Sequence, residues 1–345
     1  MSNFASCKYK HYSRQTCPMF KKFFLLAILF LPVLAMGQRR EFVLSPVNAE
    51  QVVTEEKLRI GVEFLSDEIC EGRASGTPGA FMASWWIRNR FKQAGLVPFD
   101  RCWVDGFKSP DGKAGHNIMG MFPGYGDGYV IIMSHYDHLG KLNGKLYPGA
   151  DSNASGVVAL TTIAEMFQKM ESLGKTYRRN VIFVALDGKL RNFAGAKALY
   201  RALEGNRLKD PVSGQIIHKD QIELVVNLDQ LGSSEAPLTP GRNDYLILLG
   251  DEEYARRDVL TSVNRNRRID MDLAFSYYGS KDFTRLFLNQ VNDQRVFLEA
   301  GIPSVMFTSG ITMRNNKPAD DADGLDYPVF RKRIILIFHW LSKWI

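Results

Sequence analysis

The apolar run 129–133 constrains the fold more than any other feature of the sequence. Its composition, Tyr-Val-Ile-Ile-Met, is typical of a strand that is buried on both faces. His135 and Asp137 follow it closely. The carboxyl ends of parallel strands are where α/β proteins place functional residues, and a His with an Asp two residues later is a common zinc arrangement. The run therefore predicts a central strand that ends at a candidate metal site.

Similar apolar runs alternate with helical segments along the rest of the chain. This alternation predicts a three-layer α/β/α sandwich with a mixed, mainly parallel sheet. The length and apolar content fit one large domain, which we place at residues 54–345. The predicted strands are 102–107, 116–122, 129–133, 180–186, 223–228, 245–249 and 302–307, and the predicted helices are 54–65, 80–94, 155–170, 193–203, 251–266 and 329–344.

The first segment has the features of an export signal. Lys21 and Lys22 precede the apolar run 23–34, and small residues at Ala35 and Gly37 follow it, as in a secretory signal peptide. The run is shorter than the roughly 20 residues that span a bilayer, so no stable membrane span is expected. We therefore predict an upstream extension and cleaved signal at residues 1–37, an irregular arm at 38–53, and an exported protein, periplasmic or extracellular.

Removal of the signal changes the charge argument. The formal charge of the whole chain is +7, and residues 1–37 hold five basic residues and no acidic ones, so the remainder carries +2. A basic balance of this size gives no support to a nucleic-acid partner. Of the cysteines in the remainder, Cys70 and Cys102 are compatible with a disulfide in an exported chain, but two free buried thiols fit equally well.

Several short motifs surround the predicted strand ends in a fixed order: Glu71-Gly72-Arg73, Gly76-Thr77-Pro78-Gly79, His135 with Asp137, Asp151-Ser152, Asp187-Gly188, Asn227-Leu228-Asp229 and Gly301-Ile302-Pro303-Ser304-Val305. In this order the chain resembles metallopeptidase family 28, the secreted zinc aminopeptidases related to glutamate carboxypeptidase, over about residues 54–345. The resemblance implies the sandwich fold, two zinc ions held by five side chains, and a Glu that activates the bridging water.

The resemblance keeps only part of that site. It places a first ligand at His135, its supporting carboxylate at Asp137 and a late ligand at Asp229. The positions that correspond to the bridging Asp, the general base, the second Glu and the last His hold other residues: Ser152, Lys189, Leu190 and Asn316. One zinc of the family site would lose all of its ligands, and the other would keep His135 and Asp229.

These replacements have physical consequences. Leu190 offers no lone pair, and the ammonium of Lys189 would repel a dication strongly in a low-dielectric cleft. We expect Lys189 to pair with Asp229 or Asp151, because a buried carboxylate without a partner costs several kcal/mol. In the alternative, a small backbone shift lets Asp151 complete a single metal site with His135 and Asp229.

The sequence therefore favours a non-catalytic homologue of the peptidases that binds a peptide, an amino-acid derivative or a partner protein. The alternatives are an active zinc exopeptidase with an altered single-metal site, in which a lysine could act as base, and an interaction module that uses the sandwich as a scaffold. A glutaminyl-cyclase-like activity is disfavoured because it needs the metal site. We expect the segment 292–295 to line the cleft, and Asp320, Asp321 and Asp323 to lie on a solvated loop.

Overall fold

A mixed β-sheet forms the centre of the computed structural model, which describes residues 47–99, 101 and 103–345. Within these residues nine strands form the main sheet, in the order β1-β3-β7-β4-β8-β11-β9-β10 with β2 beside β3. A separate hairpin pairs β5 with β6. The strands are β1 Val97–Pro98, β2 Val104–Lys108, β3 Ala114–Phe122, β4 Tyr129–His135, β5 Gly140–Leu142, β6 Lys145–Tyr147, β7 Asn180–Leu186, β8 Ile222–Leu228, β9 Tyr245–Leu249, β10 Asp272–Ala274 and β11 Ser304–Thr308.

Helices cover both faces of this sheet, which confirms the predicted three-layer α/β/α sandwich. Alternate residues of β4 point to opposite faces: Val130 and Ile132 pack with α2, α3, α4 and α10, and Ile131 and Met133 pack with α5 and α9. The helices are α1 Val47–Glu50, α2 Glu55–Ser66, α3 Pro78–Gln93, α4 Gly156–Ser172, α5 Ala194–Glu204, α6 Glu252–Ala255, α7 Arg257–Asn266, α8 Lys281–Asn289, α9 Arg295–Glu299 and α10 Tyr327–Leu341.

The central strands β4, β7 and β8 are parallel to one another, with β4 in the middle. Their residues are buried at nearly every position, as expected for strands covered on both faces. Because His135 at the end of β4 pairs with Leu186 at the end of β7, the segments that follow these strands emerge side by side. This arrangement positions the candidate site.

Two parts of the prediction are wrong in detail. The single helix predicted at 251–266 is interrupted at Arg256, whose left-handed backbone (φ +43°) separates α6 from α7. The stretch predicted as an irregular arm contains the short helix α1, in which Ala49 is buried. The short helices α8 and α9 were not predicted; α9 has only five residues, too few to show a helical periodicity.

Several predictions for the N-terminal part of the chain concern residues outside the described ranges. The predicted signal at 1–37 and most of the arm lie outside them. Within them, no helix has both the length and the apolar character needed to cross a membrane. Cys70 is buried, and Cys102 lies outside the described residues, so the choice between a Cys70–Cys102 disulfide and two free thiols stays open.

Candidate functional site

The site forms where β4, β7 and β8 end. His135 ends β4 and is followed by Asp137, Lys189 follows β7 after the turn at Gly188, and Asp229 follows β8. Gly188 has a positive φ of +74°, a conformation that favours glycine, and it turns the chain so that Lys189 comes back toward β4. The parallel strands therefore bring Lys189 together with His135, 54 residues earlier in the sequence, and with Asp229, 40 residues later.

Lys189 occupies the centre of this group. Its Nζ lies 2.5 Å from Asp229 Oδ2 and 3.2 Å from His135 Nε2. Only 12% of the Lys189 side chain and 2% of the Asp229 side chain are exposed, so this is a buried ion pair. One of the two ion pairs predicted for Lys189 is therefore present, and the partner is Asp229 rather than Asp151.

Asp137 holds the segment that carries Lys189. Its Oδ1 accepts a hydrogen bond from the backbone N–H of Lys189 at 3.0 Å, and its Oδ2 accepts one from Leu190 at 3.2 Å. His135 Nδ1 lies 3.1 Å from the carbonyl oxygen of Asp137. Burial raises the pKa of Asp137, but the hydrogen bonds from His135 and the two backbone N–H groups outweigh it, so the pKa is lowered and the carboxylate stays ionised.

Opposing effects also set the charge of the other two partners. Burial raises the pKa of Asp229, but the Lys189 charge and the His135 hydrogen bond lower it well below its usual range. Burial and Lys189 lower the pKa of His135, while its hydrogen bonds to Asp137 and Asp229 outweigh them and leave the pKa raised. The imidazole Nε2 thus faces both the ammonium and the Asp229 carboxylate, whose Oδ1 is 3.5 Å away.

The replaced family positions meet at the same place. Ser152, Leu190 and Asn316 line a cavity of about 200 Å³ together with His135, Lys189 and Asp229. Six of the residues singled out from the sequence therefore converge. Asn292 lines this cavity as expected. The other residues of the predicted segment 292–295 do not line it. Gln294 is buried, its side-chain oxygen accepts a hydrogen bond from Asn227, and its side-chain nitrogen donates one to the carbonyl oxygen of Phe287. The walls also include apolar residues that the sequence did not point to: Tyr277, Phe287, Val291, Met306 and Ile311.

Asp151 points away from this cavity. Its Oδ1 accepts hydrogen bonds from the backbone N–H of Gly232 at 2.7 Å and from the Ser155 hydroxyl at 3.0 Å. Burial and the nearby Asp320 raise the pKa of Asp151 to about 7. The single-metal alternative therefore requires Asp151 to give up these hydrogen bonds.

Asp320 fixes the position of the Asp151-Ser152 loop. Its carboxylate accepts hydrogen bonds from the backbone N–H groups of Asp151 and Ser152, at 2.8 and 3.1 Å. Asp320 is buried, so its predicted place on a solvated loop is wrong. In the sequence, Asp320 lies close to two other acids and looks like part of an exposed acidic segment. Only the fold shows that it accepts hydrogen bonds from backbone N–H groups.

The buried guanidinium of Arg73 holds the backbone on the other side of the site. It donates hydrogen bonds to the carbonyl oxygens of Leu65, Tyr136, Pro148 and Gly149. Burial lowers the pKa of Arg73 to about 10, so the group stays charged at neutral pH. The loop after β4 and the loop before Ser152 are thereby tied to one side chain.

Asp293 is a buried acid, for which the sequence predicted only a position near the cleft. Among the described residues neither of its carboxylate oxygens has a hydrogen-bond partner, and the residue is fully buried. Burial raises its pKa to about 6, against the opposing charges of His135 and Lys189. Asp293 does not line the cavity, but its charge interacts with those of His135 and Lys189 at the strand ends.

With this geometry established, comparison with known proteins identifies the family. The chain matches Peptidase family M28 over residues 117–341, well over half of its length, and it belongs to this family. A relative is the BOS complex subunit ncln of Danio rerio, which is 34% identical over 107 residues. That match covers 31% of this chain and 18% of the relative, so the chain spans only a small part of the length of that relative.

The fold is also similar to those of solved structures with two different activities. The LapA aminopeptidase of Legionella pneumophila has a TM-score of 0.64 at 15% identity, over 86% of this chain and 74% of that chain. The glutaminyl cyclase of Porphyromonas gingivalis has a TM-score of 0.60 at 15% identity, over 85% of this chain and 99% of that chain. At these identities the likeness shows the fold alone, and the site must decide the function.

The first prediction concerns Lys189. Replacing Lys189 with Ala leaves Asp229 buried without its cation, and we expect a loss of about 3–5 kcal/mol in the free energy of unfolding at neutral pH. Urea unfolding measures this loss, and the exposed Lys145→Ala serves as a control, expected to change stability by less than about 0.5 kcal/mol. Adding Asp229→Asn to Lys189→Ala should restore most of the stability. Equal effects of Lys189→Ala and the control would contradict the importance of the ion pair.

The second prediction concerns Asp293. Because its pKa in the folded protein is about 6, above the usual value of about 4, the unfolded chain loses this proton at lower pH than the folded chain. Asp293 therefore destabilises the fold progressively as pH rises from about 4 to about 6. Asp293→Asn should be more stable than the wild type at neutral pH by up to about 3 kcal/mol, and this difference should vanish below pH of about 4.

Urea unfolding at several pH values checks this expectation. The exposed Asp220→Asn is the matched control, for which we expect a difference of less than about 0.5 kcal/mol at every pH. A variant that is less stable than the wild type at neutral pH would show that the Asp293 carboxylate is needed in its charged form, and the interpretation would be wrong.

Proposed function

We propose that this protein is a non-catalytic member of Peptidase family M28 whose cavity binds an apolar side chain of a peptide or amino-acid derivative. The observation that carries the proposal is the position of Lys189 Nζ between Asp229 and His135 Nε2. The predicted signal segment supports an exported protein as part of the same proposal.

The donors at the site do not fit the zinc that the family implies. A catalytic zinc takes about three protein ligands, and both retained donors already face the ammonium of Lys189. A dication about 3 Å from an ammonium is repelled by on the order of 10 kcal/mol, even at an effective dielectric constant of about 20. Among the described residues, no group of three or more His, Cys, Asp or Glu side chains has a metal-binding arrangement.

The carboxylates beside Lys189, which are the candidate groups for activating water, are engaged by other groups. General-base catalysis needs an acceptor within hydrogen-bond reach of the attacking water. The Asp137 oxygens accept hydrogen bonds from the backbone N–H groups of Lys189 and Leu190, and Asp229 is paired with Lys189. These hydrogen bonds and this ion pair favour binding over hydrolysis.

The cavity has the size and lining for one apolar side chain. Cavities of about 150 Å³ accommodate a benzene ring, so about 200 Å³ suits a side chain such as that of Leu or Phe. Leu190, Val291 and Ile311 lie at its mouth and are 48%, 37% and 40% exposed. Exposed apolar residues around a concave site are typical of a binding surface, and Asn315 and Asn316 offer amide groups to a peptide backbone.

The alternative is an active exopeptidase with a single-metal site. The retention of His135 and Asp229, 3.5 Å apart, favours it. It requires Lys189 to leave the space between these residues and Asp151 to turn away from Gly232 and Ser155. In this alternative, His135→Ala abolishes activity.

The third prediction separates these functions. Protein purified and dialysed with zinc present should hold much less than one equivalent of zinc in elemental analysis. It should also show no chelator-sensitive hydrolysis of dipeptides or aminoacyl amides, because the donors are engaged by Lys189. Stoichiometric zinc together with turnover that a chelator stops and His135→Ala removes would establish the alternative instead.

The fourth prediction tests binding directly. N-acetyl amides of Leu and Phe should bind saturably, with Kd values of about 1 mM that correspond to about 4 kcal/mol, and should shift NMR signals of cavity residues. Ile311→Arg places a charge at the mouth and should weaken binding at least about tenfold. Ile60→Arg, at a site that is also exposed, is the matched control and should bind like the wild type. Absence of saturable shifts for every amide tested would reject the binding proposal.

A further inference from the structure

A second cavity, of about 440 Å³, lies between α7, α10 and the segment that follows α4. It shares no lining residue with the cavity at Lys189. In the described part of the chain, four basic side chains line it: Lys175, Arg256, Arg267 and Lys343. These residues come from three segments that are distant in sequence, and the fold brings their positive charges close together.

This positive charge is not compensated by neighbouring acids. Within the described residues Lys175, Arg267 and Lys343 form no ion pair, although many other basic side chains are paired. Asp258 is the carboxylate in the described lining. His339 also lines the cavity, but its Nε2 already lies 2.6 Å from Glu50 Oε1. The cavity thus carries an excess of positive charge.

Two of the basic groups, Arg256 and Lys175, are partly buried against the protein, whereas Lys343 is exposed. Arg256 donates a hydrogen bond to the carbonyl oxygen of Lys343 at 3.1 Å and lies 5.0 Å from the ring centroid of Trp344. Its backbone adopts the left-handed conformation at φ +43°, which is uncommon for a residue with a side chain. Lys175 is half-buried, and burial together with the charge of Lys343 lowers its pKa. An anion in the cavity would relieve this repulsion.

We propose that this cavity binds a ligand that carries a phosphate group. The arginine guanidinium matches phosphate oxygens with two parallel N–H donors, and Arg267 and Arg256 both line the cavity. Ser262 and Asn266 add polar groups, and the apolar Val259 and Val263 can contact the rest of the ligand. The volume exceeds what a bare phosphate ion needs, so the ligand is a phosphate ester, either a soluble small molecule or a phospholipid headgroup.

Titration of the full chain with three probes tests this proposal: inorganic phosphate, glycerol 3-phosphate, and phosphatidylcholine vesicles with and without phosphatidylglycerol. We expect saturable binding of glycerol 3-phosphate or of the vesicles that contain phosphatidylglycerol, in both cases weakened by added salt. Lys175→Gln and Arg267→Gln should each lower the affinity at least about tenfold, as for the loss of a charge-assisted hydrogen bond. Lys145→Gln and Arg201→Gln, at exposed positions, are the matched controls.

A second readout does not depend on affinity. In lysine-labelled protein, the bound phosphate should raise the pKa of the Lys175 amine, because a nearby anion favours the charged form. Binding of glycerol 3-phosphate supports a soluble ester, and binding of the vesicles alone supports a lipid headgroup. The proposal is overturned if no probe binds saturably, or if the cavity variants bind like their controls. Ile311→Arg should leave this binding unchanged, so the two cavities are tested separately.

Discussion

The buried contact of Lys189 with Asp229 and His135 is the interaction on which the chemistry of this protein depends. Asp229 follows a central strand and is almost fully buried, where a carboxylate without a partner would be strongly destabilising. Within the described residues, the cation that compensates it is an ammonium on a four-carbon chain. This group supplies positive charge and donors but no coordination positions. Lys189 can therefore balance the charge of Asp229 and keep the sandwich stable, although it cannot supply the chemistry of a metal ion.

This contact needs a rigid frame, which hydrogen bonds to the backbone provide. Asp137 accepts from the N–H groups of Lys189 and Leu190, Asp320 accepts from those of Asp151 and Ser152, and Arg73 donates to carbonyl groups on both sides of the β4 end. Each of these charged groups is buried and is satisfied mainly by peptide groups. Removing one would leave several buried polar groups without partners. The loops of the site are thus held by side chains that never enter the cavity.

The sequence predicts the parts of the structure that local patterns determine. β7 and β9 have the predicted bounds because each is a continuous apolar run between polar residues. From the charge that a metal would otherwise supply, Lys189 was predicted to pair with Asp229 or Asp151, and the structure has the Asp229 pair. The break at Arg256 was not predicted, because a left-handed residue within a helical pattern depends on tertiary contacts. The same is true of the burial of Asp320 and of Asp293, which has no hydrogen-bond partner among the described residues. The apolar walls Tyr277, Phe287 and Met306 were missed because they come from separate segments that only the fold assembles.

The two cavities show how charge balance distinguishes kinds of site on one fold. Aminopeptidases and a glutaminyl cyclase share this sandwich, so its shape alone does not select a reaction. At the strand ends, Lys189, Asp229 and His135 are partners of one another, and the cavity in front of them presents mostly apolar walls to a ligand. Between α7 and α10, the positive charges lack such partners among the described residues, so a ligand must bring the opposite charge. An apolar group gains most at the first cavity by leaving water, and an anion gains most at the second by meeting unpaired cations.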